Sequence, residues 1–228
     1  MVYIGTCGWS GYPGGLIEYA HIFNSVEINS SFYRIPTPRV ASKWRNNVDK
    51  INRKFIFTLK VSRIITHIDR FRTEKSFRVF DYLIEIANIL RTKFLLFQTP
   101  PSFKPSKENI KNVKDFFNSV PKKYVYIFEV RWGEQWTKEI VSPLFKELNL
   151  NQAVDPFRQK WSIGDILYYR LHGFGKSIMY DYNFSNKELN ELFERVNKSS
   201  KKQKYVFFNN AYMFDNAREF LLMFNNML

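Results

Sequence analysis

Eight short runs rich in β-branched and aromatic residues, each separated from the next by an amphipathic stretch, leave this chain few folds. The runs are Val2-Tyr3-Ile4-Gly5, Val26-Glu27-Ile28, residues 55–60, residues 94–98, residues 124–129, Gln152-Ala153-Val154, residues 166–171 and Tyr205-Val206-Phe207-Phe208. Short, nearly continuous apolar runs of this kind read as parallel strands buried on both faces. The stretches between them carry helical spacing, as in Phe77, Phe80, Leu83, Ile84, Ala87 and Leu90, or Ile110, Val113, Phe116 and Val120.

Start signals sharpen the helices. Ser106 stands as an N-cap, and Thr37-Pro38 places a cap before a proline at the first helical position. Ser185 and Glu188 form a capping box, with Phe184 and Leu189 placed for a hydrophobic staple. Asp215 is expected to cap the last helix, whose inner face carries Ala217, Phe220, Leu221 and Phe224. Eight strand–helix pairs match an α/β fold of the (β/α)8 TIM type, parallel strands inside and helices outside. The sixth pair is the weakest, because residues 155–164 do not read as a full helix. An open doubly wound sheet is the alternative, but no glycine-rich phosphate fingerprint follows the first strand. No linker splits the sequence, so residues 1–228 are expected to form one barrel domain. The four lysines of residues 198–204 fall in a turn at the bottom of such a barrel and read as a solvated loop.

Composition excludes several classes. No apolar run approaches the length of about 18 residues that a membrane span needs. The first residues read as a strand rather than a secretory leader. The single cysteine, Cys7, excludes an intrachain disulfide and a multi-cysteine zinc site. A cytoplasmic protein with no membrane partner is the expectation. A net charge of +14, from 35 basic and 21 acidic residues, attracts polyanions such as nucleic acid or nucleotides. Coding bias toward Lys, Asn, Ile and Phe accounts for the same number.

A barrel gathers the C-terminal ends of its strands at one mouth, and here those ends are polar. The second run brings Glu27 and Asn29, followed by Tyr33. The third ends at Lys60, before Arg63 and His67. Gln98 closes the fourth, and Glu129 the fifth, before Arg131 and Trp132. Asp155 follows the sixth; Arg170 and His172 belong to the seventh; Asn209 and Asn210 follow the eighth. Each residue alone has a structural reading, such as a buried Glu27–Lys60 pair or a satisfied core His172. Six ionisable groups from six strands are costly to bury without a use, which points to a pocket.

These segments resemble a known family, the domain-of-unknown-function family 72 (DUF 72, YecE-like). The resemblance rests on Ile4-Gly5-Thr6-Cys7-Gly8-Trp9, on residues 24–33 with Pro36 and Trp44, and on Lys60-Val61-Ser62-Arg63-Ile64-Ile65-Thr66-His67. It continues through residues 96–103, Phe128-Glu129-Val130-Arg131 with Trp132, Tyr169-Arg170-Leu171-His172-Gly173, and residues 205–210 with Asn216-Ala217. It implies a TIM-type barrel and, by itself, no reaction. Such proteins often carry Ser where Cys7 stands, so no catalytic thiol is expected as a shared feature. Residues 155–166 form a shorter segment than in many of them, leaving less loop over the mouth.

The expected function is an enzyme or enzyme-like binder whose mouth takes a phosphate- or carboxylate-bearing ligand, such as a nucleotide or sugar derivative. Glu27, Lys60, Glu129, Asp155 and His172 are the candidate catalytic groups, as general bases and their proton partners. Trp9, Asn29, Tyr33, Arg63, His67, Gln98, Arg131, Trp132, Arg170, Asn209 and Asn210 are the candidate ligand contacts. Arginine suits bidentate anions, and Trp9, Tyr33 and Trp132 suit stacking. No cofactor is called for. A metal-dependent phosphoesterase of the endonuclease IV type is one alternative, using Glu27, Glu129, Asp155 and His172. Against it, there are three histidines, no His-x-His or His-Glu-x-x-His spacing, and Lys60 and Arg170 beside the carboxylates. A non-catalytic nucleic-acid binder is the other alternative.

Overall fold

The computed structural model describes residues 1–131 and 135–225. Its strands are β1 (Val2–Thr6), β2 (Ser25–Ile28), β3 (Ile56–Lys60), β4 (Phe94–Thr99), β5 (Val125–Val130), β6 (Asn151–Val154), β7 (Leu167–Leu171) and β8 (Lys204–Phe208). They lie in the order β1-β8-β7-β6-β5-β4-β3-β2, every neighbour parallel. The sheet curls into a nearly closed (β/α)8 barrel with its helices outside. All eight sequence-expected strands are present, with ends shifted by a residue or two.

The helices are α1 (Gly15–Ile22), α2 (Pro38–Asp49), α3 (Glu74–Ile89), α4 (Lys107–Ser119), α5 (Lys138–Glu147), α6 (Asn186–Lys198) and α7 (Met213–Asn225). Their starts follow local chemistry. The Thr37 hydroxyl accepts from Val40 N, and Ser106 Oγ from Asn109 N at 3.1 Å. The Ser185–Glu188 capping box is fully formed. Phe184 and Leu189 are buried in one core. Asp215 departs from expectation: α7 begins two residues earlier, so Asp215 sits within its first turn and favours the helix dipole instead of capping it. No helix among the described residues connects β6 to β7. Turns do so, consistent with the weak sixth pair. The lysine-rich turn is less solvated than expected, because Lys204 Nζ donates to Val196 O at 2.7 Å and Lys201 Nζ to Gly164 O.

The barrel closes between β1 and β2, which share no strand ladder. Side chains bridge them instead. Asn24 Oδ1 accepts from Ile4 N at 3.0 Å, and its Nδ2 donates to Val2 O. The buried Tyr19 hydroxyl accepts from Thr6 N and donates to Ser25 O, both at 2.9 Å. Glycine is required at this seam, because a β-carbon on Gly5 would overlap the Ser25 carbonyl.

Two apolar clusters divide the core. The larger lies between strands and helices and includes Tyr19, Phe80, Phe97, Phe116, Phe128 and Phe220. The smaller fills the barrel interior with Leu96, Ile127, Ala153, Tyr168, Tyr205 and Phe207. Inward positions alternate along each strand. Two residues above an apolar inward position therefore comes the next inward side chain: Gln98 above Leu96, Glu129 above Ile127, Arg170 above Tyr168. This alternation turns the top layer of the barrel polar. No described helix is long and apolar enough to cross a membrane.

Candidate functional site

The top layer is organised by one arginine. Arg170, fully buried on β7, donates from Nε to Glu27 Oε2 at 3.0 Å and from Nη2 to Glu27 Oε1 at 2.7 Å. Its Nη1 donates to Glu129 Oε2 on β5. Tyr168 OH adds a bond to Glu27 Oε2 at 2.9 Å. Bidentate, charge-assisted pairing of this kind is what makes a buried guanidinium tolerable. Burial pushes the Glu27 and Glu129 carboxyls up, but the Arg170 guanidinium outweighs it. Glu129 is held down to about 2, and Glu27 below the ordinary carboxylate range. Both are carboxylates at neutral pH.

A second chain of polar contacts runs from β6 to β7. Asp155 Oδ2 accepts from His172 N at 3.1 Å and lies 3.3 Å from His172 Nδ1. His172 Nε2 lies 3.4 Å from Arg170 Nη1 and 3.9 Å from Glu129 Oε1. The carboxylate fixes Nδ1 as the protonated nitrogen and leaves the Nε2 lone pair toward Arg170. Burial pulls the imidazole down despite the Asp155 and Glu129 carboxylates, so His172 is neutral at pH 7.

Two cavities open on this layer. The central one, about 540 Å³, is lined by Cys7, Asn29, Phe32, Tyr33, Lys60, His67, Gln98, Arg131, Tyr180, Asn209, Asn210, Ala211 and Met213. It holds two cationic side chains, Lys60 and Arg131, and no carboxylate among its described lining. Lys60 Nζ lies 4.3 Å above the Phe32 ring. Burial, then the neighbouring Arg170 charge, brings its ammonium down to about 8. His67 stands edge-on to the same ring, and burial and nearby cations lower it to about 4. Arg131 donates to Glu129 Oε1 at 3.2 Å and to Tyr180 OH at 2.6 Å. Three of the lining residues, Asn29, Gln98 and Asn210, each have a carboxamide oxygen that is buried without a protein partner. The side cavity, about 350 Å³, is lined by Glu129, Asp155, Arg158, Gln159, His172, Trp136 and Trp161 with Val130, Ala153 and Val154.

A family model described as "Protein of unknown function DUF72" matches residues 3–228. The chain belongs to the DUF72 family. The UPF0759 protein YecE of Escherichia coli K12 is 30% identical over 148 residues, 60% of this chain. The match spans 51% of that relative, about half its length. A DUF72 family protein from Thermotoga maritima superposes with a TM-score of 0.75 at 27% identity, covering 99% of each chain. One from Enterococcus faecalis V583 gives 0.78 at 22% identity, covering 99% of this chain and 98% of its own; that likeness concerns the fold alone.

In this DUF72 protein the expected site residues separate into four groups. Asn29, Tyr33, Lys60, His67, Gln98, Arg131, Asn209 and Asn210 meet in the central cavity. Glu129, Asp155 and His172 meet in the side cavity. Glu27 and Arg170 line neither, since each spends its polar atoms on the other and on Glu129, Tyr168 and His172. Glu27 therefore pairs with Arg170 rather than with Lys60. Trp9 packs edge-on against Trp44 at 5.0 Å, and Arg63 is exposed before the short π-helix Ile64–Asp69. Neither lines the central or the side cavity. Trp132 lies outside the described residues.

Sequence reading missed Tyr168, Cys7, Phe32, Tyr180 and Arg158. The first two were detectable, because Tyr168 and Cys7 lie two residues from the inward Arg170 and Gly5. Tyr180 comes from a loop and Phe32 from the single 3-10 turn Ser30–Phe32, whose courses no period describes. Among the described residues no group of three or more His, Cys, Asp or Glu side chains is disposed to hold a metal. The two central glutamates already have Arg170 between them.

Proposed function

We propose that the protein is an enzyme or enzyme-like binder whose ligand is a small, hydroxyl-bearing anion held in the central mouth. The observation that carries this reading is that one cavity lining combines Lys60 and Arg131 with Asn29, Gln98 and Asn210, whose carboxamide oxygens have no protein partner, and holds no carboxylate among its described residues. The cations attract a phosphate or carboxylate. Asn29, Gln98 and Asn210 accept hydrogen bonds, so they complement hydroxyl donors rather than the anion itself. A sugar phosphate or hydroxy acid presents both. Glu27, Arg170 and Glu129 form a hydrogen-bonded layer next to the mouth without lining it. Asp155 and His172 supply a neutral imidazole one cavity away, poised for proton transfer at the edge of the site.

The test is thermal unfolding with ribose 5-phosphate, citrate, nucleotides, inorganic phosphate and short oligonucleotides, at low and high salt. A ligand that binds the native state raises Tm by mass action. Ribose 5-phosphate or citrate is expected to raise Tm and to retain most of that effect in salt. The response should be lost in Lys60→Met and weakened in Gln98→Leu. A response to oligonucleotides alone, abolished by salt, overturns the small-ligand reading and assigns the +14 charge to nucleic acid.

A further inference from the structure

Lys60 has a setting unlike that of any surface lysine. It ends β3 on an inward position, is 6% exposed and lines the central cavity. No carboxylate lies within 4 Å of its Nζ among the described residues. The charged and titratable groups around it come from several elements: Glu27 on β2, Glu129 on β5, Arg170 on β7, Cys7 after β1, His67 in the short π-helix Ile64–Asp69, and Arg131 after β5. Glu27 and Glu129 are both bonded to Arg170, so neither serves Lys60 as a contact ion. What touches the amine is the Phe32 ring. A lysine desolvated beside another cation is the arrangement that makes a side-chain amine nucleophilic near neutral pH.

We infer that Lys60 is a nucleophile that forms an imine with an aldehyde or ketone group of the anion bound in this mouth. The inference rests on the anionic-ligand reading above and narrows it to carbonyl-bearing anions. The neutral Nζ lone pair adds to the carbonyl carbon, forming a C–N bond as the C=O π bond breaks. The oxygen takes up a proton while the nitrogen gives one to cavity water, which yields a carbinolamine. That oxygen then takes back the proton held by cavity water and departs as water as the nitrogen lone pair closes the C=N bond, and the protonated imine so formed gives its remaining N–H proton to water. One amine and one carbonyl become one imine and one water, and nothing is oxidised or reduced. Lowering the ammonium to about 8 leaves a usable fraction of free amine at neutral pH, where an ordinary lysine has almost none. Asn29 and Gln98 line the same cavity and offer carboxamide oxygens to the ligand's hydroxyls.

The experiment treats the full chain with glycolaldehyde phosphate and sodium borohydride, which reduces an imine to a stable amine, and maps the adduct by mass spectrometry. The expected result is one dominant adduct on the Lys60 peptide, formed at least tenfold faster than on any other lysine. Its rate should be half-maximal near pH 8 and absent in Lys60→Arg. Far-UV circular dichroism and a melting curve on Lys60→Arg and Lys60→Met verify that each variant folds. Thermal shifts with glycerol 3-phosphate, which has no carbonyl, run in parallel. Stabilisation by glycerol 3-phosphate without preferential Lys60 labelling overturns the imine and leaves the anion site standing. No stabilisation and only uniform surface labelling overturns both.

Discussion

Arg170 and Glu27, 143 residues apart in sequence, join β7 to β2 across the barrel through two parallel hydrogen bonds of 3.0 and 2.7 Å, both side chains fully buried. Glu129 takes the remaining guanidinium nitrogen from β5. One cation thus ties three strands together at the level where the apolar interior gives way to the mouth. A buried pair of this kind adds little net stability over an apolar replacement of both partners, yet removing one partner strands the other.

Arg170→Met is therefore expected to destabilise the protein by about 3–5 kcal/mol, because the buried Glu27 loses its counterion and Glu129 keeps only Arg131. Urea unfolding at pH 7 measures it. A loss below about 1 kcal/mol would show that the carboxylates find other partners or take up protons at little cost.

Acid should unfold the protein through Glu129. Its folded carboxyl is held down from 4.5 to about 2, burial being outweighed by Arg170. A group with a depressed folded value contributes stability above its unfolded value and loses it as pH falls to the folded one. Stability is thus expected to fall between about pH 4.5 and 2, and Glu129→Gln should flatten that limb. Equal acid sensitivity in both proteins would assign the effect to other carboxylates.

Lys60 should act in the opposite sense on stability at neutral pH. Its folded amine is moved from 10.5 to about 8, so keeping it charged in the folded state costs up to about 3 kcal/mol. The cost is greatest below pH 8 and gone above 10.5, where both states are neutral. Lys60→Met is expected to stabilise the protein at pH 7 while abolishing its response to anions, the trade of stability for function common at sites. Denaturant titrations at pH 7 and 10 give the comparison; destabilisation at pH 7 would mean that the aliphatic stem and the Phe32 contact dominate.

His172 should respond to its aspartate. Burial pulls the imidazole down and the Asp155 bond pushes it up. Asp155→Asn removes the upward influence, so His172 should titrate still lower, or not at all above the acid transition. NMR of the imidazole nitrogens reads this directly. A rise in its titration would show that Glu129 takes over as the partner.

Gly5→Ala places a methyl group against the Ser25 carbonyl at the seam that closes the barrel. Overpacking of this order costs about 1–3 kcal/mol, measurable by thermal unfolding. A neutral result would mean that β1 and β2 part without penalty.

The barrel was legible because parallel strands buried on both faces must be short, apolar and regularly interrupted, and residues 55–60 or 94–98 have no other good use. Caps were legible where the side chain acts within its own turn, as at Ser106 and Ser185. Asp215 misled because a first-turn acid and an N-cap acid look alike without the backbone angles.

Placement of the polar residues at one mouth followed from strand ends alone, since a barrel leaves no other place for them. The division of labour among them did not. Lys60, Arg131 and Arg170 are each a cation at or beside a strand end. Arg170 occupies the buried position between Glu27 and Glu129 and has become structure. Lys60, denied those same carboxylates by Arg170, is left facing the cavity beside Phe32. Sequence determined that charged groups would converge, because period-two alternation is local. Only the tertiary structure decided which charge each one meets, because pairing across a barrel depends on distances between strands that lie far apart in the chain.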